Sequence, residues 1–85
     1  MREFFLEFLL ELTGLNHYGK VNNKDIYYLY DENGDKHIKF EIVQKSIILT
    51  GKLADENHDR IVQYIQANTV NKNISIVTDT ETTLI

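Results

Sequence analysis

His17, His37 and His58 are the side chains in this sequence best suited to acid–base or metal chemistry. Metal-ligand histidines stand at i, i+4 on a helix or within a short loop spacing, and none of these three pairs that way. They fall in a predicted loop, a strand and a helix N-terminus, so only the fold could gather them. A small metal-dependent or acid–base hydrolase could use His37 or His58 with nearby Asp and Glu. Such catalysis needs two carboxylates held across a pocket, or a base beside a nucleophile. Ser46, Ser75 and the Thr residues have no His at a suggestive spacing, and Asp55 and Asp59 beside His58 read as a surface pair. No catalytic, metal or cofactor residue is therefore assigned.

Asp31, Asn33 and Asp35 alternate as calcium-loop ligands do. That loop requires Gly at its sixth position and Glu at its twelfth, where this chain has Lys36 and Ile42. A hairpin turn accounts for the same residues through ordinary turn chemistry. The four glycines are scattered, which leaves no phosphate-cradling loop. The chain has no cysteine, and so no disulfide, thiolate nucleophile or cysteine-based zinc site.

The elements that must position these residues begin with Glu3–Leu12. Glu3, Glu7 and Glu11 recur every fourth residue, one narrow stripe on a helix, and Phe4, Phe5, Leu6, Phe8, Leu9, Leu10 and Leu12 fill the rest. At roughly 100° per residue this apolar arc sweeps about 240°, far wider than the ~100° stripe of an ordinary surface helix. Gly14 suits the left-handed residue that closes a helix. Leu15–Asp25, with Asn16, Gly19, Asn22 and Asn23, reads as a loop.

Ile26–Tyr30 is a strand by its β-branched and aromatic content. Asp31-Glu32-Asn33-Gly34 fits a type I turn closing in a glycine bulge. This pairs Tyr30 with Lys36, Tyr28 with Ile38 and Ile26 with Phe40. One face then holds Ile26, Tyr28, Tyr30, Ile38, Phe40 and Ile42, and the other Tyr27, Leu29, His37, Lys39 and Glu41. A two-residue Asn-Gly turn would slide the pairing by one and exchange the tyrosines. A third strand, Ser46–Thr50, sets Ile47 opposite Ile42 and Leu49 opposite Phe40, with Val43 and Ile48 on the reverse face. Asp55 is the expected N-cap of a one-sided second helix carrying Ile61, Tyr64, Ile65 and Asn68 on one side. His58, Arg60, Gln63 and Gln66 lie on its other side. Asn68, Asn71 and Asn73 break the pattern before a last short strand, Ile74–Thr78.

The predicted order is helix, three-stranded antiparallel meander, helix and short fourth strand, an α+β domain over residues 1–78. A right-handed crossover brings the fourth strand in parallel beside the first, giving the order 3-2-1-4. Residues 79–85 read as a frayed tail.

Eighty-five residues make one domain at most. The net charge of −4 argues against general phosphate-backbone binding. Arg2 and the apolar run after it look faintly secretory, but the glutamates interrupt the run and no small-residue cleavage site follows. The run is far short of the ~20 residues that span a bilayer, and an acidic polar face does not suit a membrane surface. The chain reads as cytoplasmic, with no direct nucleic-acid or membrane partner.

The over-wide first helix and a half-apolar reverse sheet face carry the functional expectation. It is a non-enzymatic protein-binding module, a homodimer through its first helices, that holds or inhibits another macromolecule. Its expected interface is Phe4, Phe5, Phe8, Leu9, Leu12, Tyr27, Leu29 and Ile48. At fold level such a chain resembles secretion chaperones and the inhibitors of host enzymes that viruses or mobile elements encode, an analogy of shape only. An acidic DNA mimic is the third possibility. It requires rows of carboxylates on one face, whereas the sequence spreads them around the chain.

Overall fold

The computed structural model describes residues 2–21, 25–69 and 73–85, with the backbone alone at residues 2 and 3. The turn residues Asn22, Asn23 and Asn71 and the side chain of Glu3 lie outside the described residues. The elements run α1 (Arg2–Thr13), β1 (His17–Lys20), β2 (Ile26–Tyr30), β3 (Lys36–Val43), β4 (Ser46–Thr50), α2 (Lys52–Glu56), α3 (His58–Asn68), β5 (Ser75–Val77) and β6 (Thr82–Leu84). The strands form one six-stranded sheet in the order β1-β2-β3-β4-β5-β6. Every pairing is antiparallel except β4 with β5. The architecture is α+β.

All three helices pack on the same face. Leu29, Ile38, Phe40, Ile47, Leu49 and Ile76 of the sheet meet Phe5, Leu6 and Leu9 of α1, Ala54 of α2, and Ile61 and Ile65 of α3. Each large side chain buried there contributes roughly 1.5–3 kcal/mol by leaving water. Phe5 meets Phe40 edge-on at 5.3 Å, and Tyr27 stacks on Phe40 at 4.9 Å.

Helix α1 ends as its sequence implies: Gly14 takes φ +74° and its N–H donates to the Leu10 carbonyl at 2.9 Å. The wide apolar arc, however, is sheltered mainly within the chain. Phe5, Leu6 and Leu9 are buried against the sheet, and Phe8 stacks on Tyr64 of α3 at 3.9 Å. The reading that so wide an arc needs a cover from a second copy left out the neighbouring helix α3. Phe4 alone of the described arc stands well out, 69% exposed.

Several expectations about the sheet need correction. The loop foreseen at Leu15–Asp25 contains β1, which pairs along β2. This strand arises from its neighbour rather than from its own propensity, and Gly19 lies where a Cβ would come within 3.1 Å of the Tyr30 hydroxyl and 3.2 Å of its ring. The hairpin turn forms as expected, with the Gly34 N–H donating to the Asp31 carbonyl at 3.1 Å and Gly34 at φ +82°. Tyr30 pairs with Lys36, but the register then shifts, so Leu29 faces Ile38, Tyr27 faces Phe40, Tyr28 faces Lys39 and Ile26 faces Glu41. His37 is the extra residue in a β-bulge, and one extra residue exchanges the two faces of the partner strand. Leu29 and Tyr27 therefore join the core side, while Ile26, Tyr28 and Tyr30 turn outward. The pairing of β3 with β4 places Ile47 opposite Ile42 and Leu49 opposite Phe40.

The second helix is two helices. Gly51, at φ +123°, precedes α2, and a Cβ there would strike the His37 carbonyl oxygen, so the start of α2 demands glycine. Asp55 lies inside α2 rather than capping a helix. Asn57 separates α2 from α3, its side-chain amide donating to the Leu53 carbonyl at 2.9 Å. The returning strand β5 is parallel, but it joins β4 because β1 occupies the edge beside β2. Residues 79–85, foreseen as frayed, turn back as β6 along β5.

Candidate functional site

With every helix on one side, the other face of the sheet is uncovered among the described residues. Alternation places Ile26, Tyr28 and Tyr30 of β2 on it, with Lys39, Glu41 and Val43 of β3, Ile48 of β4, Val77 of β5 and Leu84 of β6. Most are half-buried by their neighbours, whereas Val43 and Leu84 are exposed by 43% and 67%. The Lys36 ammonium lies 4.5 Å from the centre of the Tyr28 ring. Beside it, a depression of about 230 Å³ is lined by Tyr28, Lys36, His37, Ile38, Lys39, Thr50 and Gly51. On the helical side, a cleft of about 420 Å³ lies between the start of α1 and the end of α3, lined by Phe4, Tyr64, Ile65 and Asn68.

The expected interface residues separate sharply. Phe5, Leu9 and Leu29 are at most 1% exposed and belong to the core, so they present nothing to a partner. Phe8, Leu12 and Tyr27 are half-buried against that core. Phe4 stands at the cleft and Ile48 on the open face, on opposite sides of the sheet. The tyrosines that reach the open face are Tyr28 and Tyr30, displaced there by the His37 bulge. Nothing in the sequence spacing marks that bulge. The alternation in β3 already separates Lys39 and Glu41 from Phe40.

The histidines stay apart. His17 is exposed on β1. His37 Nε2 lies 2.7 Å from Asp31 Oδ2, while Asp31 Oδ1 accepts from the N–H groups of Asn33 at 2.9 Å and Asp35 at 3.0 Å. The His37 hydrogen bond, then those backbone donors, hold the Asp31 carboxyl below the usual carboxylate range against a smaller opposing effect of desolvation. This carboxylate is committed to its own turn. No group of three or more His, Asp or Glu suited to a metal ion occurs among the described residues.

His58, expected on the watery side of its helix, is buried. Its Nδ1 lies 2.9 Å from Glu81 Oε1 and 3.1 Å from Asp59 Oδ1, and its Nε2 lies 2.9 Å from Thr83 Oγ1. Two carboxylates thus face Nδ1, and a hydroxyl faces Nε2. Thr80 Oγ1 donates to Asp55 Oδ1 at 3.0 Å, and the Gly51 N–H donates to Asp79 Oδ2 at 3.0 Å. Together these bonds fasten the β5–β6 turn to the helical layer. Sequence reading missed the set because its members lie some twenty-five positions apart, in a segment taken for a tail.

Glu7 and Glu11 of the first-helix stripe are exposed. No helix among the described residues is long and apolar enough to cross a membrane. Comparison with protein-family models, curated proteins and solved structures returns no match.

Proposed function

We propose that this chain is a small non-enzymatic protein-binding module, working as a homodimer that holds or inhibits another macromolecule. The observation that supports this reading is the uncovered sheet face, where Ile26, Tyr28 and Tyr30 on one side and Ile48 and Val77 on the other flank Lys39 and Glu41. Apolar and aromatic groups left without a covering layer are suited to contact, and Tyr supplies large contact area with few rotors. The cleft beside Phe4 offers a second, separate surface. The test is capture from a lysate of the source organism on immobilised protein, with Ile48→Asp and Phe4→Asp as surface variants. A bound protein lost from one folded variant and kept by the other supports the reading and locates the surface. Identical retention by wild type and both variants sinks it.

A hydrolase is the second reading, and one observation favours it: Thr83, His58 and Glu81 stand in the order hydroxyl, imidazole, carboxylate. Against it, the two cavities described above are lined by other residues, and a structural tie between helix and strand needs the same contacts. Turnover of p-nitrophenyl acetate abolished by Thr83→Val in a folded protein would establish this reading. A rate equal to that of free imidazole would remove it.

A further inference from the structure

We propose that the occupant of the open sheet face is a second copy of this chain, docked face to face about a two-fold axis that runs between the two sheets, perpendicular to the strands, at the level of Phe40. This rests on the binding-module reading and assigns its first partner. An interface between identical copies must be complementary to itself. The centre of this face has that property. Lys39 and Glu41 are half-buried there, one charge of each sign, two residues apart on one strand. Neither has an ion-pair partner among the described residues, although the chain holds 13 acidic and 9 basic groups from which to supply one.

The register fixes what such an axis brings together. Lys39 stands level with Tyr28 on one side and Thr50 on the other, and Glu41 stands level with Ile26 and Ile48. Rotation about the axis lays Lys39 of each copy over Glu41 of the other, Ile26 over Tyr28, and Ile48 over Thr50. Sheets packed this way lie about 10 Å apart, which these side chains span. The area is small. Strands of three to eight residues, about 3.3 Å per residue and about 4.8 Å apart, give a footprint of roughly 440 Å², against ~800 Å² per partner in a standard interface. Self-association is therefore expected to be weak. The cleft beside Phe4 stays open on the outer side of each copy, available to the macromolecule that is held.

Sedimentation equilibrium, carried to millimolar protein, tests the pairing. Wild type should form a dimer, and Lys39→Glu and Glu41→Lys should each weaken it roughly tenfold or more, because like charges then face each other. An equimolar mixture of the two variants should restore association as a heterodimer, and so should the double variant Lys39→Glu/Glu41→Lys. Circular dichroism checks that each remains folded. If a reversal unfolds the chain, Lys39→Gln and Glu41→Gln replace it, and their combined loss should be no greater than either alone. A monomeric wild type overturns the proposal, as does a dimer indifferent to both reversals, one not restored in the mixture, or one broken by Phe4→Asp. A monomer that still captures a foreign protein through Ile48 overturns the second-copy assignment and leaves the binding module standing. An intact dimer that captures nothing through either surface does the opposite.

Discussion

Phe40 and Lys39 are adjacent in β3 and face opposite ways, so the two sides of this sheet can be compared on one backbone. On Phe40's side, Leu29, Ile38, Phe40, Ile47, Leu49 and Ile76 are almost completely enclosed, with Tyr27 and Ile42 half-buried beside them. On Lys39's side, the same strands carry tyrosines, charges and aliphatic groups, most of them half-buried and Val43 exposed. The first side is specified by volume, since close-packed neighbours feel the loss of a single methylene. The second is only half-buried, so volume constrains it less.

That contrast should appear first in denaturation. Phe40→Ala empties the centre of the covered side and is expected to cost about 3–5 kcal/mol in a urea titration. Gly51→Ala comes next. Positive φ and the blocked position beside the His37 carbonyl should cost roughly 1–3 kcal/mol or more, where β4 gives way to the helical layer. His58→Ala removes the tie from α3 to Glu81 and Thr83, at about 1–3 kcal/mol. Amide exchange in β6 should quicken more than exchange in β3. Ile48→Thr, on the open side, should change the urea midpoint by less than about 1 kcal/mol, in contrast to Phe40→Ala. A loss as large as that of Phe40→Ala would show that the open side is core after all.

The smallest effect concerns acid. Asp31 has its carboxyl lowered in the fold, so its contribution is present above the ordinary carboxylate pKa of about 3.9 and is lost as pH falls through the lowered value. Asp31→Asn should therefore lose stability at neutral pH and show a shallower decline in acid. Urea midpoints on either side of that range would measure both.

Much of this fold was legible because local patterns coincide with tertiary demands. The glutamate stripe, Gly14, the Asp31–Gly34 turn and the pairing of β3 with β4 all follow from spacing and turn chemistry. What escaped depends on distant partners. β1 exists by pairing with β2, β6 by pairing with β5, and α2 begins where it does because His37 crowds Gly51. The His37 bulge exchanged Tyr27 and Leu29 with Ile26, Tyr28 and Tyr30, which relocated the candidate surface although the residue types had been read correctly. Of the expected interface, Phe4 and Ile48 remain on accessible surfaces, while Phe5, Leu9 and Leu29 show why an apolar residue cannot by itself be assigned to core or contact.

Strand order equal to chain order has a kinetic consequence. The first four strands meet partners only a short loop away, so loop closure costs little entropy, and their meander can form early. The parallel join of Ser46 to Ser75 must wait until α2 and α3 have folded across the sheet. Stopped-flow refolding should accordingly be fast for a mixed α/β chain. Substitutions in β5 and α3 should slow it more than substitutions in β1, because the crossover is the longest closure the chain has to make.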